Sequence, residues 1–582
     1  MLVRAIGKYK WLLTAALVTM LVEVGAALWQ PSFMKDILST MASLSLSTSG
    51  KVGKVSGYGI ALIAIAVVGL IGSILNTIAA AKLAQAVSAD LRENTFRKIQ
   101  TFSYADIERF KSENLVVRMT NDINQIQMLL MMTFQILIRV PLLFVGSFVL
   151  SIITMPQLWW VIVVMVVLIV IVTGLSMRAM GPHFGAFQKL MDKINAIAKD
   201  NLRGARVVKS FVQERNQEAK FDKESDDLLG HNLTVGYIFA AMIPAFTIIS
   251  QLAIFVAILF ISFGITQSAS FAQDQLGGIM SFIQYMMQIM FAIIMGGMMS
   301  MFASRGFVSI GRIRQVLEAT PSMSFPDTPT ETLSGDVTFE HVSFSYPDDE
   351  KPTLKDVSFE LKSGQQVGIV GATGAGKSTL AQLIPRLFDP SEGTVKVGGK
   401  DLKTLSRKTL NSTVSIVLQK AILFSGTIAG NLKQGNSAAT KDDMDRAAQI
   451  AQAAEFINRL PNRYDAEVVE RANNFSGGQK QRLSITRGVI KQPKVLILDD
   501  STSALDARSE KLVQEAFDKE LKKTTTIIIA QKISSVVHAD TILVMDQGRL
   551  VAQGTHNELV ETSDVYRHIY DTQKAQGDDA DE

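Results

Sequence analysis

Residues 475–506 read FSGGQKQRLSITRGVIKQPKVLILDDSTSALD, and the middle of that stretch decides the fold. Val495-Leu-Ile-Leu-Asp499 is an unbroken apolar run ending in a carboxylate, the pattern of a parallel strand buried on both faces. Upstream, Gly371-Ala-Thr-Gly-Ala-Gly-Lys377-Ser378 fits G-x-x-x-x-G-K-[ST]. It follows an apolar strand at Val367–Val370 and opens a helix near Lys377, the context that the pattern requires. Glycines let backbone N–H groups close around phosphate oxygens, and the helix N-terminus adds positive potential. Gly371, Thr373, Gly374, Gly376, Lys377, Ser378 and Thr379 are therefore candidate nucleotide contacts. Lys377 supplies a point charge for the outer phosphates, and Ser378 offers a hydroxyl to Mg²⁺. From Asp336 onward strands alternate with helical patterns, which predicts an α/β P-loop domain over 336–573.

The first 320 residues read differently. The chain of 582 residues is 48% apolar and only 19% charged, and the apolar excess is confined to this part. A span needs about 20 apolar residues, and six runs qualify, near 11–30, 58–80, 129–154, 157–176, 237–265 and 277–301. Met155, Pro156 and Gln157 alone separate the third from the fourth, a tight hairpin. Residues 81–125 carry seven Lys and Arg and residues 178–235 carry ten, against three (Lys35, Lys51, Lys54) in the other loops. The positive-inside rule then places both long loops, both termini and the α/β domain in the cytoplasm. Apolar residues recur at helical spacing through Leu91–Phe110 and Met191–Phe221, so helices should continue past the membrane surface. The N-terminus lacks a signal-peptide cleavage pattern. Residues 321–335 form a polar linker, and the acidic stretch 574–582 is expected to be disordered. There is no cysteine, and the six histidines show no ligand spacing. A net charge of +4 argues for no nucleic-acid partner.

With these motifs placed, the chain resembles the ATP-binding cassette (ABC) exporters. Phe475-Ser-Gly-Gly-Gln479 is similar to their signature sequence, Val495–Asp499 to their Walker B strand, Ser503-Ala-Leu-Asp506 to their D-loop, Gln419 to their Q-loop glutamine, and Tyr346 to the aromatic that stacks on adenine. Six spans followed by one cassette is the layout of an exporter-type half-transporter. The resemblance implies that Ser378, Gln419 and Asp499 hold Mg²⁺, partly through water. It implies too that two cassettes sandwich two ATP molecules, each site borrowing Ser476, Gly478 and Gln479 from the other cassette, with the D-loop Asp506 beside them. Asn114–Ile126 and Asn201–Phe211 look like the two coupling helices.

Two residues depart from the family. Asp500 stands where the family has its catalytic Glu, one methylene or about 1.5 Å short, and misplacement by about 1 Å can cost on the order of 10²-fold in rate. Gln531 stands where the family has a switch histidine, and glutamine cannot become a cation. Ser476-Gly-Gly-Gln479 is intact, with Phe475 for the usual leucine, while Val469 and Ala472 alter the segment before it. The combination resembles the degenerate-site subunit of bacterial heterodimeric multidrug exporters. It implies a plasma-membrane protein that binds ATP, hydrolyses it poorly, and completes the active site of a second, non-identical half-transporter. A homodimeric lipid or drug flippase with slow hydrolysis through Asp500, and a nucleotide-gated channel that never hydrolyses, are the rivals.

The sixth run is methionine-rich (Met280, Met286, Met287, Met290, Met295, Met298, Met299, Met301) and interrupted by Gln284, Tyr285 and Gln288. Unbranched thioethers repack around varied shapes, so Gln284, Met287, Gln288 and Met295 are candidates for a transport pathway that takes hydrophobic small molecules. Glu23 and Arg139 are ionisable residues inside apolar runs and join them as candidates. Counted from the outer ends of their runs, seven and fifteen residues away, they differ in depth by about 12 Å at 1.5 Å per residue. Water-cavity or polar-network roles are therefore expected in place of a direct pair. Pro141 is expected to bend the third span.

Overall fold

The computed structural model describes residues 2–43, 47–265, 269–347, 349 and 351–578. They fall into two units, Met1–Ile99 with Glu113–Ala319, and Gln100–Ser112 with Thr320–Glu582.

The first unit is helical. After a short helix Leu2–Gly7 come α1 (Lys10–Ala42) and α2 (Thr48–Ile99). A short helix α3 (Tyr104–Phe110) belongs to the other unit. Then follow α4 (Ser112–Thr154), α5 (Pro156–Arg203), α6 (Ala205–Ser210), α7 (Glu214–Ile265) and α8 (Ala269–Glu318). Six of these helices, one for each apolar run, are long and apolar enough to cross a membrane. Between α4 and α5 the chain turns at Met155 and the 3₁₀ turn Pro156–Leu158, the tight hairpin that the sequence predicts.

Two apolar seams hold the helices. Ala16 of α1, Ala80, Leu83 and Val87 of α2, Ile126 of α4 and Ile313 of α8 form one. Ile162 and Ile169 of α5, Phe246 of α7 and Phe282 and Met286 of α8 form the other. Lipid tails are as apolar as leucine, so close packing must supply the attraction, and small residues permit it. A Cβ on Gly72 would lie 3.3 Å from the Thr19 carbonyl and the Glu23 amide. Within α4 the helix widens to π turns at Arg118–Asp122 and Thr133–Leu137. The second immediately precedes Arg139 and Pro141, and there Ile138 N–H reaches back five residues to the Thr133 carbonyl at 3.0 Å. The irregularity around Pro141 thus takes the form of a π turn.

The helical pattern through Leu91–Phe110 is broken. Helix α2 stops at Ile99, and Ser103 starts α3 with a capping box: its hydroxyl accepts from the Asp106 N–H and its own N–H donates to the Asp106 carboxylate.

The second unit is α/β. Its strands are β1 (Val337–Phe344), β2 (Leu354–Leu361), β3 (Gln366–Gly371), β4 (Glu392–Val397), β5 (Lys400–Asp401), β6 (Val414–Val417), β7 (Gly426–Thr427), β8 (Glu467–Val468), β9 (Val495–Asp499), β10 (Thr525–Ile529), β11 (Thr541–Asp546) and β12 (Arg549–Gly554). The main sheet runs β12-β11-β3-β10-β9-β6, parallel except for β12. An antiparallel sheet β2-β1-β4-β5 packs with it around Phe339, Val367, Leu380 and Ile497. Every residue of β9 is buried, as its uninterrupted apolar pattern requires. The main helices here are α9 (Lys377–Leu383), α10 (Gly477–Val489), α11 (Ala507–Glu520) and α12 (Asp564–Asp578).

The segment 321–335 is irregular but docked. Phe325 lies under the guanidinium of Arg386 at 4.5 Å, and Leu333 enters the core. The expected disorder of 574–582 is corrected for 574–578, which continue α12; 579–582 lie outside the described residues.

Candidate functional site

The phosphate loop is built from β3 into α9. Gly371 has φ +151°, and a Cβ there would sit 2.1 Å from the Met545 carbonyl, so only glycine lets β11 lie against the loop. Gly376 caps α9 at φ +94°. Lys377 Nζ donates to the Gly371 and Ala372 carbonyls at 2.7 and 2.9 Å, which folds its stem over the loop. Burial lowers the Lys377 pKa, with Asp500 and Asp499 pulling the other way. Ser378 Oγ donates to Asp499 Oδ1 at 2.9 Å. Burial raises the Asp499 pKa, against the hydrogen bond from Ser378.

These groups face a cavity of about 270 Å³ lined by Thr373, Gly374, Gly376, Lys377, Ser378, Thr379, Gln419, Asp499, Asp500 and Gln531, with Thr353, Ala375 and Ile529. Ten candidates read from scattered motifs thus meet at one place. A glycine cradle, a half-buried ammonium, and a hydroxyl paired with a carboxylate are the donor set that a nucleotide triphosphate and its divalent ion require. Ser378, Asp499 and Gln419 would hold the ion, which when bound neutralises charge on the outer phosphates. Thr353 and Ile529 carry no motif and were not legible in the sequence.

At the mouth of β9, Asp500 is the hub of a closed cluster. Its Oδ2 accepts from Gln419 Nε2 at 2.9 Å and from Gln531 Nε2 at 2.8 Å. Its backbone is left-handed at φ +47°, and its carbonyl accepts from Ser503 Oγ at 2.9 Å. The loop that carries Gln531 is itself clamped by Gln573 of α12. Gln573 Nε2 donates to the Gln531 carbonyl and Gln573 Oε1 accepts from the Ile533 N–H, both at 2.8 Å. Sequence reasoning passed over Gln573, because nothing local marks a glutamine on a terminal helix.

Four signature and D-loop candidates do not line this cavity. Ser476 caps α10: its Oγ accepts from the Gln479 N–H at 3.3 Å, and Gln479 Oε1 accepts from the Ser476 N–H at 2.9 Å. Gly478 lies beside the D-loop, where a Cβ would come within 3.3 Å of the Ala504 carbonyl. Asp506 caps α11 through Ser509 at 2.9 Å. Phe475 is buried edge-on against Phe456, centroids 6.3 Å apart. Tyr346 also lies off the cavity wall. Its hydroxyl pairs with Thr379 Oγ1 at 3.0 Å, and its ring meets Phe344 and Phe388 edge-on.

The same aromatic cluster receives α3. Tyr104 packs edge-on to Phe388 at 5.5 Å, and the Asp106 carboxylate accepts from the Ser322 N–H at 3.1 Å. This corrects the first expected coupling segment. Residues 114–126 lie within α4, and the short helix seated on the α/β unit is Tyr104–Phe110. The second expected segment, 201–211, does contain a short helix, α6, with no buried residue.

In the helical unit, Arg139, Met287, Gln288 and Met295 line one cavity of about 290 Å³ with Gln135, Ile136, Val140, Leu143, Phe291 and Ala292. Gln284 is exposed and does not line it. Met286, Met290 and Met299 are buried in the packing, so the methionines divide between core and cavity; the side chains of Met298 and Met301 lie outside the described ones. Glu23 and Arg139 form a direct ion pair at 3.0 Å, which overturns the depth argument. Helix α1 continues to Ala42, so Glu23 is nineteen residues from its end and Arg139 fifteen from the end of α4, a difference of about 6 Å that two long side chains bridge.

A phosphate-cradling α/β domain on one chain with six spans defines a class, the membrane transporters coupled to ATP hydrolysis. The chain belongs to the ABC transporter family: residues 13–293 match the ABC transporter transmembrane region, and residues 354–503 match the ABC transporter ATP-binding model. It is 34% identical over 97% of both chains to YfiB of Bacillus subtilis, an uncharacterised ABC transporter ATP-binding protein. It is 35% identical, over 67% of this chain and 68% of the other, to a Staphylococcus aureus chain provisionally named a multidrug export ATP-binding/permease protein. A bacterial Atm1-family ABC exporter with ATP bound superposes with a TM-score of 0.79 at 26% identity, over 97% of this chain and 98% of that one. The protein is a multi-pass exporter-type half-transporter whose cassette binds ATP.

Proposed function

We propose that this chain is the latch half of a heterodimeric exporter, binding ATP and Mg²⁺ at its own site, hydrolysing slowly, and lending its signature loop to a non-identical partner. One observation carries the reading. Asp500 is a short carboxylate whose Oδ2 is already shared between two amide donors, Gln419 and Gln531. A carboxylate tied back toward the protein by two amide donors is poorly placed to orient an attacking water. The signature loop supports the complementary half: Ser476 and Gln479 are organised as a helix cap yet stand away from their own chain's cavity.

The cassette lies on the cytoplasmic side of a bacterial plasma membrane, in line with the Lys and Arg bias of the two long loops. Helix α3 relays cassette closure to the spans, and the cavity of Arg139, Met287, Gln288 and Met295 is part of the pathway, taking amphipathic drug-like or lipid-like molecules. Reconstituted alone, the chain should turn over ATP at less than about a hundredth of the rate of the pair formed with the half-transporter encoded beside it. Rapid, substrate-stimulated turnover by the chain alone would establish the homodimeric flippase in its place. Downhill ion flux in ATP without turnover would establish the channel.

A further inference from the structure

The cavity between α4 and α8 has an electrostatic asymmetry that a methionine-lined wall alone would lack. Arg139 is on its lining, whereas Glu23 stands behind it, only 7% exposed. The ion pair uses one nitrogen, Nη2, at 3.0 Å. Among the described residues the buried Nε has no hydrogen-bond partner. Among the described residues no acidic side chain lines the cavity, and the amide of Gln288 is committed elsewhere, accepting from Ser147 Oγ at 2.7 Å and donating to the Ala27 carbonyl at 3.1 Å. The remaining wall is Gln135, Ile136, Val140, Leu143, Phe291, Ala292 and two methionines, so one further neutral amide stands among apolar side chains. A molecule entering therefore meets a largely apolar surface, the neutral amide of Gln135 and one cationic group, a guanidinium, which is the group best suited to a planar or tetrahedral anion.

We propose that this cavity selects amphiphilic acids (an apolar body ending in a carboxylate, sulfonate or phosphate) over amphiphilic cations. The proposal rests on the reading of the cavity as part of the transport pathway. Glu23 holds the guanidinium in place, and the acid shares it as a second anion. Arg139 lies about 22 Å along α4 from its end at Thr154. In a hydrocarbon core of about 30 Å this places it in the half of the bilayer away from the α4–α5 turn, where a headgroup can reach it from that leaflet.

The test uses the full-length chain in phosphatidylcholine nanodiscs and three fluorescent probes with one apolar body: dansylaminoundecanoic acid, its methyl ester, and the matching dansyl alkylamine. The acid should bind at least about tenfold more tightly than the amine, as one charge-assisted contact allows. Arg139→Gln should remove that preference and leave the ester within about threefold. Because that variant strands Glu23 without its partner, Glu23→Gln with Arg139→Gln serves as the second variant and should bind acid and amine alike. Glu23→Gln alone should tighten the acid, since the guanidinium is then unshared. Weaker acid binding in Glu23→Gln would overturn the proposal in favour of a purely structural pair. Equal binding of acid and amine, unmoved by Arg139→Gln, would overturn the charge preference while leaving the pathway reading intact. If none of the three probes binds, the pathway reading falls, and the preference with it. Displacement of the acid in nanodiscs containing phosphatidylglycerol would support the proposal with a lipid headgroup as the natural source, and its persistence there would support it with a free amphiphile.

Discussion

At the residue scale one missing methylene is compounded by its neighbours. Asp500 is short, and its Oδ2 also satisfies two glutamines, one of which replaces a histidine in this family's usual pattern. Restoring reach alone leaves the second amide in place. Asp500→Glu should therefore raise hydrolysis at this chain's own site only modestly, and Asp500→Glu with Gln531→His by on the order of 10²-fold, read by trapping labelled nucleotide on each chain of the pair. No gain in the double variant would mean that other residues limit the site. Phe475 illustrates the opposite case, a departure with a packing reason. It fills the small core around Phe456, Leu483 and Tyr464. Phe475→Leu, which restores the commoner residue, should destabilise the cassette by about 1–2 kcal/mol through the space it leaves, seen as a lower unfolding midpoint with ATP affinity unchanged.

At the element scale, two helices act on the site from outside it. Helix α12 reaches the Gln531 loop through the two hydrogen bonds of Gln573. Gln573→Ala should cost about 1–2 kcal/mol of local stability, with faster amide exchange across 531–533 and a smaller preference for ATP over ADP. Unchanged exchange there would show that the clamp is idle. Helix α3 is fastened by Asp106, which is both its capping-box carboxylate and the acceptor for Ser322 N–H. Burial works against the charge of Asp106, but hydrogen bonds from Ser103 and Ser322 outweigh it and hold the pKa below the ordinary value. Asp106→Ala loses the cap, typically about 1 kcal/mol. In the assembled pair it should abolish stimulation of ATPase by substrate while basal turnover persists. Equal loss of both activities would assign α3 to cassette folding. Register explains why this helix was misplaced in the sequence. Apolar spacing runs without interruption through Leu91–Phe110, and the break between helices at 100–103 is marked only by a serine three residues before an aspartate.

At the scale of the whole molecule, the proposed division of labour between two unlike halves predicts an asymmetric response. Ser476→Ala should reduce hydrolysis at the partner's site by about 10²-fold, the usual cost of a lost transition-state donor, and leave nucleotide bound to this chain's own site largely unaffected. Equal damage at both sites would point to a symmetric pair. Helix ends also mislead at this scale. The depth argument that separated Glu23 from Arg139 counted from the edges of hydrophobic runs, whereas α1 continues twelve residues past its run, to Ala42. Hydrophobicity ends where the bilayer does; a helix ends where its backbone finds a cap.

What the chain's residues determine unaided is the inventory: six apolar stretches of spanning length, a glycine loop between strand and helix, a carboxylate at the end of a buried strand, and two residues, Asp500 and Gln531, that depart from the pattern the chain resembles. Each is legible because its pattern is local, a run, a spacing or a period. The tertiary structure alone decided that Gln419 and Gln531 both close on Asp500, that Gln573 grips the switch loop, that α3 rather than 114–126 seats on the cassette, and that Arg139 faces a cavity with Glu23 behind it. Those partners are far apart in sequence, and side chains that meet only after the sheet and bundle have formed leave no periodic trace along the chain.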